Sequence, residues 1–263
     1  MALGSALWTV MTGAARKAAR AMKRDFGEIE QLQVSRKGPS DFVSAADLKA
    51  EKTLRVELEK ARPKFGFLME EAGEVKGEDP QHRWIIDPID GTTNFLHGIP
   101  HFAISIALQM EKDLIAGLVF NPITEEMFYA ERGKGAFLND RRLRVSSRLD
   151  MGDSIFATGI PFRGIPGHAT FLKRLERVME VSAGVRRMGT ASLDLAFVAA
   201  GRYEGFWEAG LKPWDIAAGL LLVQEAGGFV TDFAGGKSML ATGDVVAGNP
   251  KVHKPFLDLL KAG

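Results

Sequence analysis

The chain opens with a helical pattern of apolar and polar positions. One face carries regularly spaced apolar residues: Leu3, Leu7, Val10, Ala14 and Ala18. This spacing predicts an amphipathic helix over about residues 5–26. The polar residues 35–39, which include a glycine and a proline, interrupt the pattern and predict a mobile loop.

A second helical pattern follows over residues 45–61. Leu48, Leu54 and Leu58 are predicted to form its buried stripe. Pro63 ends the helix, because proline lacks the N–H group that a continuing helix needs.

Short runs of branched and aromatic residues predict strands after this helix. The runs at residues 65–69 and 83–86 are each followed by acidic residues, so both acidic clusters are expected at strand ends. Further runs separated by turn residues predict an antiparallel meander: residues 102–109, 114–121, 126–130 and 133–138.

Strands and helices alternate in the second half of the chain. The predicted strands are residues 154–158, 185–188 and 203–207, and the predicted helices are residues 168–181, 193–200 and 216–226. This alternation predicts a mixed or parallel sheet with helices on its faces. Because the pattern changes near residue 147 without a flexible linker, we expect two lobes that share one interface, residues 1–147 and 148–263.

Composition narrows the class of protein. The 263 residues include no cysteine, which excludes disulfides, thiolate nucleophiles and Cys-ligated metal centres. The formal net charge is +1, so no overall charge favours nucleic acid or a membrane as a partner. No apolar run approaches the roughly 20 residues that span a bilayer. The N-terminal basic residues follow an apolar stretch, the reverse of a secretory signal, so we expect a cytoplasmic protein.

The strongest chemical signal is the string Trp-Ile-Ile-Asp-Pro-Ile-Asp-Gly-Thr-Thr-Asn-Phe at residues 84–95. Pro88 keeps Asp87 out of helical geometry, and Gly91 permits a sharp turn. The apolar strand is therefore predicted to end in a rigid loop that presents both Asp87 and Asp90. Hard cations such as magnesium prefer a cluster of carboxylate oxygens of this kind.

The residues that follow these aspartates suit a phosphate group. Gly91, Thr92 and Thr93 can offer backbone N–H groups to phosphate oxygens, and the hydroxyl of Thr92 could position a water. Asp-Pro and Asp-Gly alone are ordinary turn formers. From these residues alone, the loop could be an ordinary turn or could hold metal and phosphate together.

Acidic residues in three other segments are candidates for the same site, and each has a structural alternative. Glu70 and Glu71 follow a predicted strand, and Glu71 is also typical of a solvated surface acid. Asp215 precedes a predicted helix, where it would serve as an N-cap. Asp47 falls in the first turn of the second helix, where an acid is favoured in any case.

These motifs resemble the inositol monophosphatase family. Residues 87–92 match its Asp-Pro-x-Asp-Gly-Thr signature, and Glu70-Glu71 resembles its upstream acidic element. Residues 214–219, which lead into Gly227 and Gly228, resemble its second signature. The resemblance covers most of the chain and implies an α/β (α+β) fold, a layered α/β/α/β/α sandwich of the inositol monophosphatase and fructose-1,6-bisphosphatase type. It also implies a homodimer with each metal site between the two lobes.

The resemblance further implies two to three magnesium ions per active site. Glu70, Asp87 and the carbonyl group of Ile89 would hold the first ion. Asp87, Asp90 and Asp215 would hold the second, and a third would rest on Glu70 and waters.

The implied reaction is hydrolysis of a sugar or polyol phosphate monoester by a metal-activated water, with inhibition by lithium. The catalytic residues would be Asp47, Thr92 and Glu70, and the first two would orient the water. Substrate contacts are implied at eight positions: Asp90, Gly91, Thr92, Gly189, Thr190, Ala191, Glu208 and Asp215. The closest resemblance is to the bacterial inositol-1-monophosphatases, which predicts myo-inositol-1-phosphate as the substrate.

Three alternative functions use the same motifs. A fructose-1,6-bisphosphatase or a histidinol phosphatase would have the same metal ligands. Some bacterial relatives bind the transcription machinery, so a regulatory protein is the alternative of another class, although nothing in the sequence indicates a nucleic-acid partner.

Other motifs are weaker. His97 and His101 have the spacing of a zinc-protease pair, but the glycine and proline between them are incompatible with a helix. The string Gly-Lys-Ser at residues 236–238 resembles the end of a P-loop, yet it lacks the first glycine and a convincing following helix. The basic residues Arg141, Arg142, Arg144 and Arg148 could bind an acidic partner, although a solvated hairpin edge is the commoner meaning.

Overall fold

The structure is a computed structural model that describes residues 4–28, 34–38, 41–162 and 164–261. Its helices are α1 (Ala6–Gly27), α2 (Ala45–Ala61), α3 (Thr92–Leu96), α4 (His168–Val181), α5 (Ala191–Ala199), α6 (Pro213–Glu225), α7 (Met239–Thr242) and α8 (His253–Lys261). Its first strands are β1 (Val34–Gly38), β2 (Asp41–Ser44), β3 (Phe65–Met69), β4 (Gly73–Val75), β5 (Asp79–Asp90), β6 (Ala103–Met110), β7 (Asp113–Asn121) and β8 (Glu126–Glu131). The remaining strands are β9 (Gly135–Leu138), β10 (Arg141–Arg142), β11 (Ile155–Thr158), β12 (Gly184–Arg186), β13 (Gly205–Glu208), β14 (Phe229–Thr231) and β15 (Val245–Gly248).

The larger sheet has eight strands in the order β10-β9-β8-β7-β6-β5-β3-β4. Strands β6 to β9 form the predicted antiparallel meander, and β5 joins it antiparallel to β6. In contrast, β3 runs parallel to β5, with Met69 in register with Ile86. Glu70 and Asp87 come next after this last pair, so they are neighbours at the end of the two strands.

The smaller sheet has five strands in the order β12-β11-β13-β15-β14. Strand β11 pairs parallel with both β12 and β13, whereas β15 pairs antiparallel with β13 and β14. This is the mixed sheet that the alternation of strands and helices predicts. The carboxyl ends of β11 and β13 lie at the same edge, so Gly159 and Glu208 come together there.

Helices separate and cover the two sheets. Helices α1 and α2 pack on the outer face of the larger sheet. Helices α5 and α6 fill the space between the sheets, and α4 and α8 cover the outer face of the smaller one. The layered α/β/α/β/α arrangement is thus confirmed. Among the described helices, none has the length and apolar character to cross a membrane.

The central layer depends on small residues at its contacts. A Cβ atom added to Gly117 of β7 would lie 2.8 Å from the carbonyl oxygen of Ala218 in α6. A Cβ atom added to Gly219 would lie 2.5 Å from Cβ of Leu195 in α5. Glycine at both positions lets α6 lie close to β7 and α5 at once, and this packing fixes where the amino end of α6 points.

The buried stripe of α2 differs from the prediction. Leu48 is 56% exposed, whereas Leu54 and Leu58 are buried as expected. The stripe continues toward the amino end through alanines and through two acids, Asp47 and Glu51. A stripe that advances by about four residues places position 48 on another face. Hydrophobicity alone could not reveal this, because charged residues occupy core positions.

The polar residues 35–39 were expected to form a loop, but the structure places most of them in β1. This strand pairs antiparallel with β2 to form a hairpin. Backbone groups supply the hydrogen bonds of a hairpin, so a polar composition can conceal one. Leu3 and Pro39 lie outside the described residues. The elements after residue 226 were not predicted at all: β14, α7, β15 and α8.

We expect Gly117→Ala to lower the free energy of unfolding by about 1–3 kcal/mol, because its methyl group would overlap the backbone of α6. Gly13→Ala is the matched control, since Gly13 lies in α1 with no atom within 4 Å of an added Cβ. That substitution should raise the free energy by about 0.5–1 kcal/mol through helix propensity. Urea denaturation measures both, and equal effects would contradict the close packing of β7 on α6.

Candidate active site

Two aspartates lie in the last four residues of β5. The pairing of β5 with β6 shifts register between Asp87 and Asp90, because Pro88 has no N–H group to contribute to the ladder. The backbone N–H of Ile89 donates to Oδ1 of Asp87 over 2.9 Å. Gly91 then adopts a positive φ of 93° and begins α3. The prediction of a loop beyond the strand was wrong in this detail, since both acids belong to the bulged end of the strand.

Glu70 directly follows β3 and is held by its backbone. Its N–H donates to the carbonyl oxygen of Ile86 over 3.2 Å. The next turn is fixed by Glu51 of α2, whose carboxylate accepts the N–H groups of Glu71 and Ala72 over 2.8 and 3.0 Å. Glu51 is only 5% exposed, so this clamp is part of the core.

Sequence reasoning missed Glu51. The available signal was its position four residues after Asp47, which places both acids on one face of α2. Neither acid looked like a core residue, because acids are rarely buried without partners.

Asp47 joins the helix cap to the motif threonine. It is fully buried, and its Oδ2 accepts the backbone N–H of the N-cap residue Ser44 over 2.8 Å. The hydroxyl of Thr92 lies 3.2 Å from Oδ1 of Asp47 and 3.0 Å from the carbonyl oxygen of Ile89. Asp47 can therefore serve both as an acid in the first turn of α2 and as the partner of Thr92. Burial raises the pKa of Asp47, and the charge of Glu70 raises it further.

Asp215 reaches the site from the first turn of α6. The N-cap of this helix is Lys212, and Pro213 occupies its first position, as proline commonly does. Asp215 stands third in the helix, and its Oδ2 accepts the N–H of Lys212 over 2.7 Å. Asp215 is therefore not the N-cap residue, contrary to the prediction. Its carboxylate nevertheless accepts a backbone N–H at the amino end of the helix. The hydroxyl of Ser105 in β6 donates to the carbonyl oxygen of Trp214 over 3.0 Å and ties this end to the larger sheet.

The turn at Gly189–Ala191 packs directly on the motif. A Cβ atom added to Gly91 would lie 2.5 Å from Oγ1 of Thr190, so only glycine permits this approach. Oδ2 of Asp90 accepts the N–H of Ser192 over 2.7 Å and also that of Ala191. The predicted substrate residues of this turn therefore lie beside Asp90.

Asn94 holds the same turn from the other side, a role that the sequence did not indicate. Its Nδ2 donates to the carbonyl oxygens of His101 and Met188 over 2.7 and 2.8 Å. Asn94, at the end of the motif, thus acts as a staple between the segment before β6 and the segment before α5.

Glu208 ends β13 and faces Gly159 at the end of β11. A Cβ atom added to Gly159 would lie 1.8 Å from the carboxylate of Glu208, whose charge the N–H of Gly159 also stabilises. Burial raises the pKa of Glu208 to about 8, and the charge of Asp90 adds to the shift while Arg187 opposes it. Gly159 is a second residue that sequence reasoning missed.

The acids of the site raise one another's pKa values. Burial is the largest cause for Asp87, followed by the charges of Glu70, Asp90 and Asp215. Burial raises the pKa of Asp90 to about 6. The pKa of Asp215 is also raised well above its usual value, by burial and then by Asp90. The side chain of Glu70 lies close enough to that of Asp87 to raise the pKa of Asp87 further.

This arrangement fits divalent cations. Within the described chain, no three acidic or histidine side chains already converge as a completed metal cage does. The acids are instead crowded together, and backbone N–H groups hold the carboxylates of Asp87, Asp90 and Asp215. Cations bound among these carboxylates would relieve their repulsion, and ligands that are all oxygen suit a hard ion.

The weaker motifs do not join this site. The N–H groups of Gly236 and Ser238 donate to Asp232, so they serve a local turn, although the short helix α7 does follow them. Arg141 and Arg142 form the edge strand β10. Arg148 pairs with the buried Glu204 over 2.8 Å.

The sequence matches the model of the inositol monophosphatase family over residues 5–260. An inositol-1-monophosphatase of Mesorhizobium japonicum is 58% identical over 257 residues, which cover 98% of this chain and 97% of that protein. The Nus factor SuhB of Escherichia coli strain K12 is 45% identical over 244 residues, which cover 93% of this chain and 91% of that protein. The crystal structure of the extragenic suppressor protein suhB from Bartonella henselae matches with a TM-score of 0.96 at 57% identity, covering 98% of this chain and 100% of that one. The family indicated by the motifs is confirmed.

We expect Asp215→Asn to stabilise the cation-free protein at about pH 8, by roughly 1 kcal/mol or 2–4 °C in melting temperature. A raised pKa means that the folded state loses stability as pH rises, because the charged form is disfavoured there. Because the pKa of the native carboxyl group is raised, lowering the pH to about 5 favours its neutral form, so the gain should shrink. Thermal melts with a chelator at both pH values measure this.

The control is Asp258→Asn, on the exposed face of α8. Lys254 lowers the pKa of Asp258, so its charge is favoured and its removal should not stabilise the protein at either pH. An Asp215→Asn variant that melts lower than the wild type at high pH would contradict the proposed repulsion.

Proposed function

The chain belongs to the inositol monophosphatase family, and from that premise we propose that it hydrolyses myo-inositol-1-phosphate to inositol and phosphate. The observation that carries the proposal is the crowding of Glu70, Asp87, Asp90 and Asp215, whose charges repel one another and would be neutralised by cations. Such a site attracts a phosphate group only when positive ions are present, which couples metal binding to substrate binding.

We assign magnesium as the cofactor, with two to three ions per site. Glu70, Asp87 and the carbonyl group of Ile89 would hold the first ion, and Asp87, Asp90 and Asp215 the second. A third would rest on Glu70 and waters. When bound, such ions lower the pKa of a water and stabilise the alkoxide that leaves phosphorus. The ligand set has only oxygen atoms, which favours magnesium over softer metals.

Asp47 and Thr92 would orient the attacking water. The Thr92 hydroxyl lies between the Asp47 carboxylate and the carbonyl oxygen of Ile89, so its own proton has two acceptors and its lone pairs stay available. The raised pKa of Asp47 suits a group that receives a proton through Thr92. The N–H groups of Gly91 and Thr92, at the start of α3, would bind the phosphate oxygens.

Residues from the second half of the chain would bind the polyol. Glu208 and the turn at Gly189–Ala191 lie near Asp90, and a carboxylate there can accept hydrogen bonds from ring hydroxyls. Fructose-1,6-bisphosphate and histidinol phosphate are the alternative substrates. A cytoplasmic homodimer remains part of the proposal, and a monomer in sedimentation equilibrium would remove that part.

We expect Asp87→Asn to lower kcat for inositol-1-phosphate by about 100-fold or more, because it removes a charge shared by two ions. Glu71→Gln is the matched control, since no ion is assigned to Glu71, and its activity should stay close to that of the wild type. Release of phosphate at saturating magnesium measures both. Near-normal turnover by folded Asp87→Asn protein would refute the assignment of the metal ligands.

Glu208→Gln should raise KM for inositol-1-phosphate about tenfold, since a hydrogen bond to a charged group contributes roughly 1.5–3 kcal/mol. The magnesium dependence should change little. Glycerol-2-phosphate provides the comparison, because it has fewer hydroxyl groups for Glu208 to bind. Equal effects on the two esters, or none on either, would remove Glu208 from the specificity site and favour the fructose-1,6-bisphosphatase alternative.

A further inference from the structure

The cavity that holds the acids extends well beyond them. It has a volume of about 740 Å³ and begins at Glu70, Glu208 and Asp215. From there it continues between the connection from β11 to α4 and the segment that leads from β13 into α6. Its far walls carry large apolar side chains: Ile160, Phe162, Ile165, Phe171, Trp207 and Phe233.

A polyol does not account for these walls. Every ring carbon of inositol carries a hydroxyl group, and such a ring needs hydrogen-bond partners rather than hydrocarbon. Yet Ile160, Phe162 and Ile165 are 43%, 45% and 41% exposed, so they leave apolar surface facing the open cavity. Apolar surface of this kind is stabilised when a ligand removes it from water.

The apolar end of the cavity is lined by aromatic rings and by Arg174. The guanidinium of Arg174 lies 3.8 Å from the ring centroid of Phe233 and stacks on it. Its Nε donates to the carbonyl oxygen of Leu260 over 3.2 Å, which holds the stack in place. The ring centroid of Phe171 lies 6.5 Å from that of Trp207, which is itself buried and supports the wall from behind. Planar groups in such an arrangement favour an aromatic guest over an aliphatic one.

We propose that this part of the cavity is a binding subsite for an aromatic group in the alcohol portion of the phosphate ester. The inference rests on the proposed function, because the phosphate of the same ester must lie at the acids. The connection from β11 to α4 links the two ends, since Gly159 touches Glu208 while Phe162 faces the apolar wall. The enzyme therefore accepts aryl phosphate monoesters in addition to polyol phosphates.

The reaction on such an ester is the same hydrolysis. Water adds to phosphorus, the bond between phosphorus and the ester oxygen breaks, and a proton from the water passes to that oxygen. The products are the free aromatic alcohol and inorganic phosphate, and no oxidant or further reactant is needed.

The test compares 1-naphthyl phosphate with inositol-1-phosphate in wild type, Phe162→Ala and Leu149→Ala proteins. Phe162 is half-exposed, so its truncation should not disturb folding. Leu149 is 69% exposed and lies outside the cavity walls, which makes it the matched control. We expect Phe162→Ala to lower kcat/KM for 1-naphthyl phosphate about tenfold, mainly through KM, with inositol-1-phosphate unchanged. Leu149→Ala should change neither.

Each other outcome overturns the inference. Suppose that the wild type hydrolyses inositol-1-phosphate and that Phe162→Ala changes kcat/KM equally for both esters. That result would remove the aromatic subsite and leave the proposed function intact. A wild type that hydrolyses neither ester would refute the proposed function and the subsite together. Ile165→Ala provides a second variant on the same wall and should reproduce the selective loss, so an effect confined to position 162 would indicate a local change in the connection.

Discussion

Mutual repulsion among buried carboxylates is the constraint on which the rest of this structure depends. Asp87, Asp90 and Asp215 each hold a proton more tightly than an exposed aspartate does, because burial and the neighbouring charges disfavour the ionised form. A folded chain tolerates such a cluster only when other interactions hold it together. The acids are thus poised to exchange protons for cations, and the cations in turn attract the phosphate group.

The scaffold opposes this repulsion by fixing the backbone next to each acid. Helix α2 does so twice, through the contact of Asp47 with Thr92 and through the clamp of Glu51 on the turn after β3. Helix α6 is positioned by its contact with Gly117, and its first turn carries Asp215. These contacts join different layers of the fold: α2 to the end of the larger sheet, and α6 to β7. Binding at the site and the integrity of the fold are therefore coupled.

The sequence predicted which residues supply the chemistry of the site better than it predicted which residues hold them in place. The string at residues 84–95 indicated the metal and phosphate elements because it matches the signature of the inositol monophosphatase family. The clamp by Glu51 and the staple by Asn94 involve partners that are distant in sequence, and no local pattern reveals them. Leu48 was assigned to the core because it is apolar, although the acids of α2 take that face. The apolar end of the cavity arises only when the connection from β11 to α4 and the segment from β13 to α6 come together in the folded chain.

Proton release on metal binding tests this account most directly. Titration calorimetry with magnesium at about pH 6, in buffers with different enthalpies of ionisation, counts the protons that leave the protein as the ions bind. If buried carboxyl groups hold protons until cations replace them, the observed heat must depend on the buffer and yield net proton release. Magnesium binding with no proton release would show that the acids are already ionised in the free protein, and it would contradict the central role given to their repulsion.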